Sequence, residues 1–162
     1  KLIPDGHKWM RAIVAGTTFQ DNVDLNLFYD QESRKFSEHG YIGLYKDKSI
    51  RAIGKLKKTI IAVEVEGKMT YRAESGEAPT PDEICRINEA IRRAEDYGYN
   101  LRTISHRYFM VEKFYPIDFR KSSKNPIQKS KFFNLADMFG YKTMPDTEKI
   151  AADLNGRTWE EF

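Results

Sequence analysis

Residues 41–56, YIGLYKDKSIRAIGKL, decide the fold of this chain. Tyr41 to Tyr45 is apolar and aromatic, and Ile50 to Leu56 places Ile50, Ala52, Ile53 and Leu56 among glycine and basic residues. The polar KDKS between them suits a tight turn, so the stretch predicts an antiparallel hairpin. A second hairpin should follow, with strands Ile60 to Val65 (IIAVEV) and Met69 to Ala73 (MTYRA) around Glu66-Gly67-Lys68. Upstream, RAIVAG (Arg11 to Gly16) reads as a short buried strand. A polar loop follows, then DLNLFYD, in which Leu25, Leu27 and Tyr29 alternate with more polar positions. Gln31 to Gly40 reads as a charged loop.

Downstream, Thr80-Pro81-Asp82-Glu83 combines a capping hydroxyl, a proline at the first helical position and a glutamate three residues after the cap. Ile84, Ile87, Ile91 and Ala94 recur at helical spacing before Gly98 closes the helix. Ile104 to Tyr115 reads as a long strand ended by Pro116, and Phe119 to Lys131 as a basic loop. Short helices are expected at Asn134 to Phe139 and Thr147 to Leu154. One strong helix among about six strands disfavours βαβ alternation. The expected class is α+β: a small, mostly antiparallel curved sheet or partial barrel with one packed helix and short C-terminal helices. No internal repeat or linker divides the 162 residues, so one domain is expected. Residues 1–9 lie outside the predicted elements, and a first residue of Lys suggests a trimmed start.

Composition narrows the function. Hydrophobic residues make up 40% and charged residues 31%, the balance of a folded globular chain. No apolar run reaches the roughly 18 to 20 residues of a membrane span, so no membrane partner is expected. A lone cysteine, Cys85, can form neither an internal disulfide nor a multi-cysteine zinc site, which makes the cytoplasm the default location. His7, His39 and His106 lack metal-ligand spacing, and no phosphate-binding glycine motif occurs, so neither a metal nor a cofactor is expected. Ser105 and His106 are strand neighbours that point to opposite faces, and no catalytic group is assigned.

The net charge of +3 hides a strong polarity. Lys46 to Lys58 holds six basic residues and one acid, and Arg102 to Lys131 holds eight and two. These two segments carry fourteen basic residues against three acids; the remainder carries thirteen against twenty-one. Such a chain should turn a basic face toward something anionic. Aromatics interleave with these cations, so phosphate neutralisation combined with base stacking is the natural chemistry.

Two nuclease resemblances compete. Glu64, Glu66 and Lys68 resemble the acid-lysine cluster of PD-(D/E)xK nucleases, although EGK also reads as an ordinary hairpin turn. Leu27-Phe28-Tyr29 and Tyr41-Ile42-Gly43 resemble the paired strands of the GIY-YIG family, with Arg51 as its arginine, but the leading glycine is absent.

The hairpin YIGLYKDKSIRAIGKL also resembles the central hairpin of PUA-like domains, in particular the EVE and ASCH groups. Tyr108 to Tyr115, Asn125-Pro126-Ile127 and Asn134-Leu135-Ala136 look like the later strand, proline and short helix of that arrangement. The Trp-containing motif of EVE domains is reduced to Lys8-Trp9-Met10. The resemblance implies a small barrel that reads RNA or modified DNA bases in a concave pocket without catalysis, as one part of a defence or processing system. It puts the pocket near Tyr41, Tyr45 and Arg51, with the loop from Phe119 to Lys131 beside it. With charge added, the expected nucleic-acid-binding set is Tyr41, Tyr45, Lys46, Lys48, Arg51, Arg107, Arg120, Lys121 and Lys124. The alternatives are a metal-dependent nuclease and a protein-interaction domain whose basic face meets an acidic partner protein or fused domain.

Overall fold

The computed structural model describes residues 2–162. Lys1, on which the trimmed-start reading rests, lies outside the described residues. The fold is α+β, with a seven-stranded, mostly antiparallel open sheet and four α-helices. In chain order the elements are β1 (Trp9–Val14), α1 (Phe19–Leu25), β2 (Leu27–Gln31), β3 (Tyr41–Lys46), β4 (Ser49–Val65), β5 (Lys68–Ser75), α2 (Pro81–Glu95), β6 (His106–Arg120), β7 (Ser130–Asn134), α3 (Leu135–Phe139) and α4 (Thr147–Leu154). A short 3-10 turn, Asp5–Lys8, precedes β1, and another, Trp159–Glu161, follows α4. The strand order is β2-β6-β4-β3-β1-β7, with β5 paired to β4. Only β1 and β3 run parallel among the registered pairs.

The chain forms two compact units, and the long strands β4 and β6 contribute a segment to each. The first unit holds residues 2–19, 37–56 and 113–162. Its core gathers Met10, Ile50, Ile53, Phe119, Phe133, Leu154 and Trp159, all buried. Trp159 stands edge-on to Phe133, 4.9 Å between ring centroids, and donates its indole N–H to the Phe119 carbonyl at 3.0 Å. Aromatic burial with the polar edge satisfied thus fixes the C-terminal turn to the sheet.

The second unit, residues 20–36 and 57–112, packs the stripe Ile87, Ala90, Ile91 and Ala94 of α2 on Ile60, Ala62, Tyr108 and Met110. The Thr80 cap forms as the sequence predicts. Its hydroxyl accepts the Glu83 N–H at 3.1 Å, and the Glu83 carboxylate accepts the Thr80 N–H at 2.9 Å. The same carboxylate meets the Lys58 ammonium at 2.9 Å, in a pair whose side chains are only 4% and 2% exposed. Lys58 donates also to the Glu77 and Ala78 carbonyls.

That pair explains why the predicted break between Leu56 and Ile60 is absent. Lys57-Lys58-Thr59 falls between the two predicted hairpins, but Lys58 is buried and satisfied, so β4 runs through. β6 likewise passes Pro116, where the sequence predicts an end. β2 pairs with β6 only from His106 to Met110, which leaves the proline's missing N–H without a strand partner to lose on that side. The predicted polar loop before Leu25 is α1, and the carbonyls of its last residue, Leu25, and of the following Asn26 accept from the Arg86 guanidinium.

Two outcomes test this packing. Thr80→Ala should lower stability by about 1 kcal/mol in denaturant melts. Lys58→Met leaves a buried carboxylate uncompensated and should cost about 3 to 5 kcal/mol, most of which the Lys58→Met, Glu83→Gln double variant regains, since the amide still accepts the Thr80 N–H. Burial pushes the Glu83 carboxyl up, but the Lys58 ammonium and the Thr80 donors outweigh it and hold it below its ordinary 4.5. Its stabilising share is therefore present above about pH 4.5 and lost as pH falls through the lowered value, and an acid titration of the Lys58→Met variant should lack that loss.

Candidate nucleic-acid interface

In the first unit, β3 turns into β4 through only Asp47 and Lys48, both at positive φ (52° and 60°). A type I′ turn needs this backbone and usually takes Asn-Gly, so two residues with side chains are strained here. The surroundings hold the strain. Arg51 donates from Nε to the Lys46 carbonyl at 2.9 Å and from Nη2 to the Asp47 carbonyl at 3.0 Å. The Lys48 carbonyl accepts the Lys121 N–H at 2.8 Å, and the Lys48 ammonium reaches the Lys124 carbonyl at 3.0 Å. The loop after β6 is thereby laid against the hairpin tip.

Asp118 anchors this junction. Its carboxylate accepts the buried Ser49 hydroxyl at 2.6 Å and pairs with Arg120 at 3.2 Å and Arg51 at 3.7 Å. The Ser49 hydrogen bond, followed by the two guanidiniums, holds its carboxyl below the ordinary range against the opposing effect of burial. Its backbone N–H donates to Asn155 Oδ1, and its carbonyl accepts from Gly156 N–H. The hairpin tip, the end of β6 and the residues after α4 meet at one acid.

The structure thus brings Lys46, Lys48, Arg51, Arg120, Lys121 and Lys124 together around one turn. Their roles differ. Arg51, expected beside the pocket, is a brace whose donors go to the turn carbonyls and Asp118. Arg120 is tied to Asp118. Lys46 stands over the Phe19 ring, 5.6 Å from its centroid. Lys124 is exposed, and its ammonium has no partner among the described residues.

Tyr41 and Tyr45 are corrections too. They are 2% and 3% exposed and belong to the core, so neither ring offers a face to a base from the surface. Tyr45 packs on Trp159, and its hydroxyl accepts the Ile127 N–H at 3.2 Å, tying the basic loop to the core. Arg107 lies in the second unit and is spent there. It pairs with Glu74 at 2.7 Å, donates to the Glu32 carbonyl and stacks 5.0 Å above Phe36.

Two features are built mostly from residues that the sequence reading did not single out. A cavity of about 360 Å³ opens in the first unit, lined by Leu2, Ile3, Pro4, His7, Gly40, Tyr41, Lys55, Leu56, Thr143 and Met144. A Cβ on Gly40 would sit 3.0 Å from the His7 Cα, so the backbone at His7 would have to give way by a few tenths of an ångström. The cavity lies at the Met10/Tyr41 end of the parallel β1–β3 pair and the basic turn at the Val14/Tyr45 end, about 13 Å along the strands at ~3.3 Å per residue. The second feature is the pair Ser122 and Ser123, whose donors hold the Glu160 carboxylate. The cavity depends on residues far apart in sequence, whereas KSSK is a short polar run that a search for clustered donors would find.

The nuclease motifs do not assemble. β2 pairs with β6, whereas β3 lies between β1 and β4, so the GIY-YIG-like segments are not paired strands. Glu66 sits at φ 50° in the exposed β4–β5 turn. Among the described residues, no three His, Cys, Asp or Glu side chains gather as a metal site, and no helix is long and apolar enough to cross a membrane.

No known protein-family profile matches the chain, and no curated protein does. Among solved structures the chain is similar to ASCH from Zymomonas mobilis, with 9% identity, 92% of this chain and 97% of that chain covered, and a TM-score of 0.48. It is similar also to a serine-to-alanine mutant of the Zymomonas mobilis ASCH protein, with 13% identity, 85% and 96% coverage, and a TM-score of 0.47.

Proposed function

We propose that this chain is a non-catalytic nucleic-acid-binding module that grips the phosphate backbone at the β3–β4 turn and takes an unpaired or flipped base into the cavity beside Tyr41. The convergence of two basic segments, distant in sequence, on one braced turn carries this reading. Lys46, Lys121 and Lys124 supply the phosphate contacts, and Arg51 and Arg120 keep them in place. Apolar cavity walls from Tyr41, Leu56 and Met144 suit a base, and Lys55, His7 and Thr143 offer polar groups to its edge. Positioning and base reading are then separate tasks. RNA or modified DNA is the expected ligand, in a reducing compartment compatible with the single free Cys85.

Electrophoretic mobility with RNA, single-stranded DNA and modified duplex DNA across salt concentrations tests this directly. Replacing Lys121 and Lys124 together should weaken all nucleic acids about equally and lower the log–log salt slope by about 1.4 for a single strand, at ~0.7 per phosphate contact. Lys55→Ala should leave that slope nearly unchanged and reduce any preference among bases. Absence of binding by the wild-type chain at low salt would overturn the reading in favour of an acidic protein partner.

A further inference from the structure

The loop that follows β6, Lys121-Ser122-Ser123-Lys124, already binds an anion. The Ser122 N–H donates to Glu160 Oε1 at 2.8 Å, the Ser122 hydroxyl donates to the same oxygen, and the Ser123 N–H donates to Oε2 at 3.3 Å. Two successive backbone donors and a hydroxyl facing one pair of oxygens form a concave anion seat, the arrangement that phosphate oxygens also fit. Those donors hold the Glu160 carboxyl down at about 2, so the seat favours negative charge. The Glu160 position is fixed by its neighbour, the buried Trp159. The adjacent Glu161 turns away, to Arg157 and the Thr158 N–H.

Charge argues that the carboxylate is not the seat's final partner. Six cations (Lys46, Lys48, Arg51, Arg120, Lys121 and Lys124) surround the turn and loop against the three carboxylates of Asp47, Asp118 and Glu160. Asp118 is committed to Ser49, Arg51 and Arg120. Lys121 donates to the Ser123 hydroxyl at 2.5 Å, and the Lys124 ammonium stays uncommitted among the described residues. A phosphate in the seat would keep the backbone and hydroxyl bonds and add these lysines.

We infer that Lys121–Lys124 is a phosphate-binding loop occupied in the unliganded chain by Glu160, which an incoming phosphate displaces. The identification of that phosphate as part of a nucleic-acid backbone rests on the function proposed above; the seat itself does not. Glu160 is tethered and therefore competes at high effective concentration, so removing its charge should raise affinity. This is opposite to what a simple loop brace would do.

The test uses the full chain and its Glu160→Gln variant, whose amide still accepts the Ser122 N–H and keeps the loop in place. Backbone amide NMR should show inorganic phosphate moving the Ser122 and Ser123 signals at lower concentration in the variant. A single-stranded octauridylate should bind it about threefold to tenfold tighter than wild type, a gain reduced by the seat's exposure. Adding Ser122→Ala to Glu160→Gln should reverse the gain for both probes, with an unchanged melting temperature confirming the fold. Weaker octauridylate binding by Glu160→Gln, or Ser122 and Ser123 amides that respond to neither probe, overturns the inference. Octauridylate binding that depends on Lys121 and Lys124 but leaves those amides unmoved rejects the seat and keeps the nucleic-acid reading. Amides that respond to phosphate, without binding of octauridylate, single-stranded DNA or modified duplex DNA by either protein, keep the seat and reject that reading.

Discussion

Asp118 is the residue on which the basic corner of the first unit depends. Like charges at a hairpin tip repel, and Lys46, Lys48, Arg51, Arg120 and Lys121 would disperse into water without a compensating anion. Asp118 supplies it from inside the cluster, with its carboxylate fixed by the Ser49 hydroxyl and shared between Arg51 and Arg120. Because its backbone also bonds Asn155 and Gly156, the same residue ties the chain after α4 to the end of β6. That link sets where Trp159, and so Glu160, can lie. The two arginines spend their donors on structure, and the lysines are thereby left at the surface. This division suits the side chains, since a planar fork can brace two carbonyls at once and a flexible ammonium adapts to a ligand.

The second unit solves a related problem differently. Lys58 is an ammonium inside a strand, and it is tolerated because the Glu83 carboxylate and the Glu77 and Ala78 carbonyls satisfy it, while the same carboxylate caps α2. One carboxylate thus caps a helix and neutralises a strand. The pair ties α2 to β4 beside the apolar stripe that packs the helix on the sheet.

Much of the fold was legible in the sequence. Both hairpins, the α2 cap, α3 with its Asn134 cap, and α4 follow from turn chemistry and periodicity, which are local properties. The misses share one cause. β4 continues through Lys58 because of Glu83, β6 continues past Pro116 because β2 is short, and α1 has polar residues, Asp21 and Asn22, on its buried side. In each case the pairing of segments distant in sequence, or its absence at that point, decides against the local signal. The site divides in the same way. Clustered charge points to the lysines that meet at the turn, although β6 extends to Arg120, into the segment read as a loop. It cannot tell Arg51 as a brace from Arg51 as a ligand, nor place Tyr41 and Tyr45 inside the core. Alternation on a strand gives two faces and does not say which one is covered.

The burial of those two tyrosines changes the kind of recognition the domain can perform. A surface stacking platform reads any base, because every base has a flat face, and it gives affinity with little selectivity. With Tyr41 and Tyr45 in the core, that route is closed at this hairpin. Tyr45 instead fixes the loop backbone through Ile127, and Tyr41 contributes a wall of a cavity whose rim carries Lys55, His7 and Thr143. A base placed there would be judged by its shape and by hydrogen bonds at its edge, and an unmatched polar group would be left unpaired in a mostly apolar space. Discrimination by unpaired polar groups exceeds discrimination by apolar contact alone. Affinity would then come from lysines at one end of the β1–β3 pair and selectivity from a pocket at the other. The strands themselves, rigid and buried, would set the distance between the two.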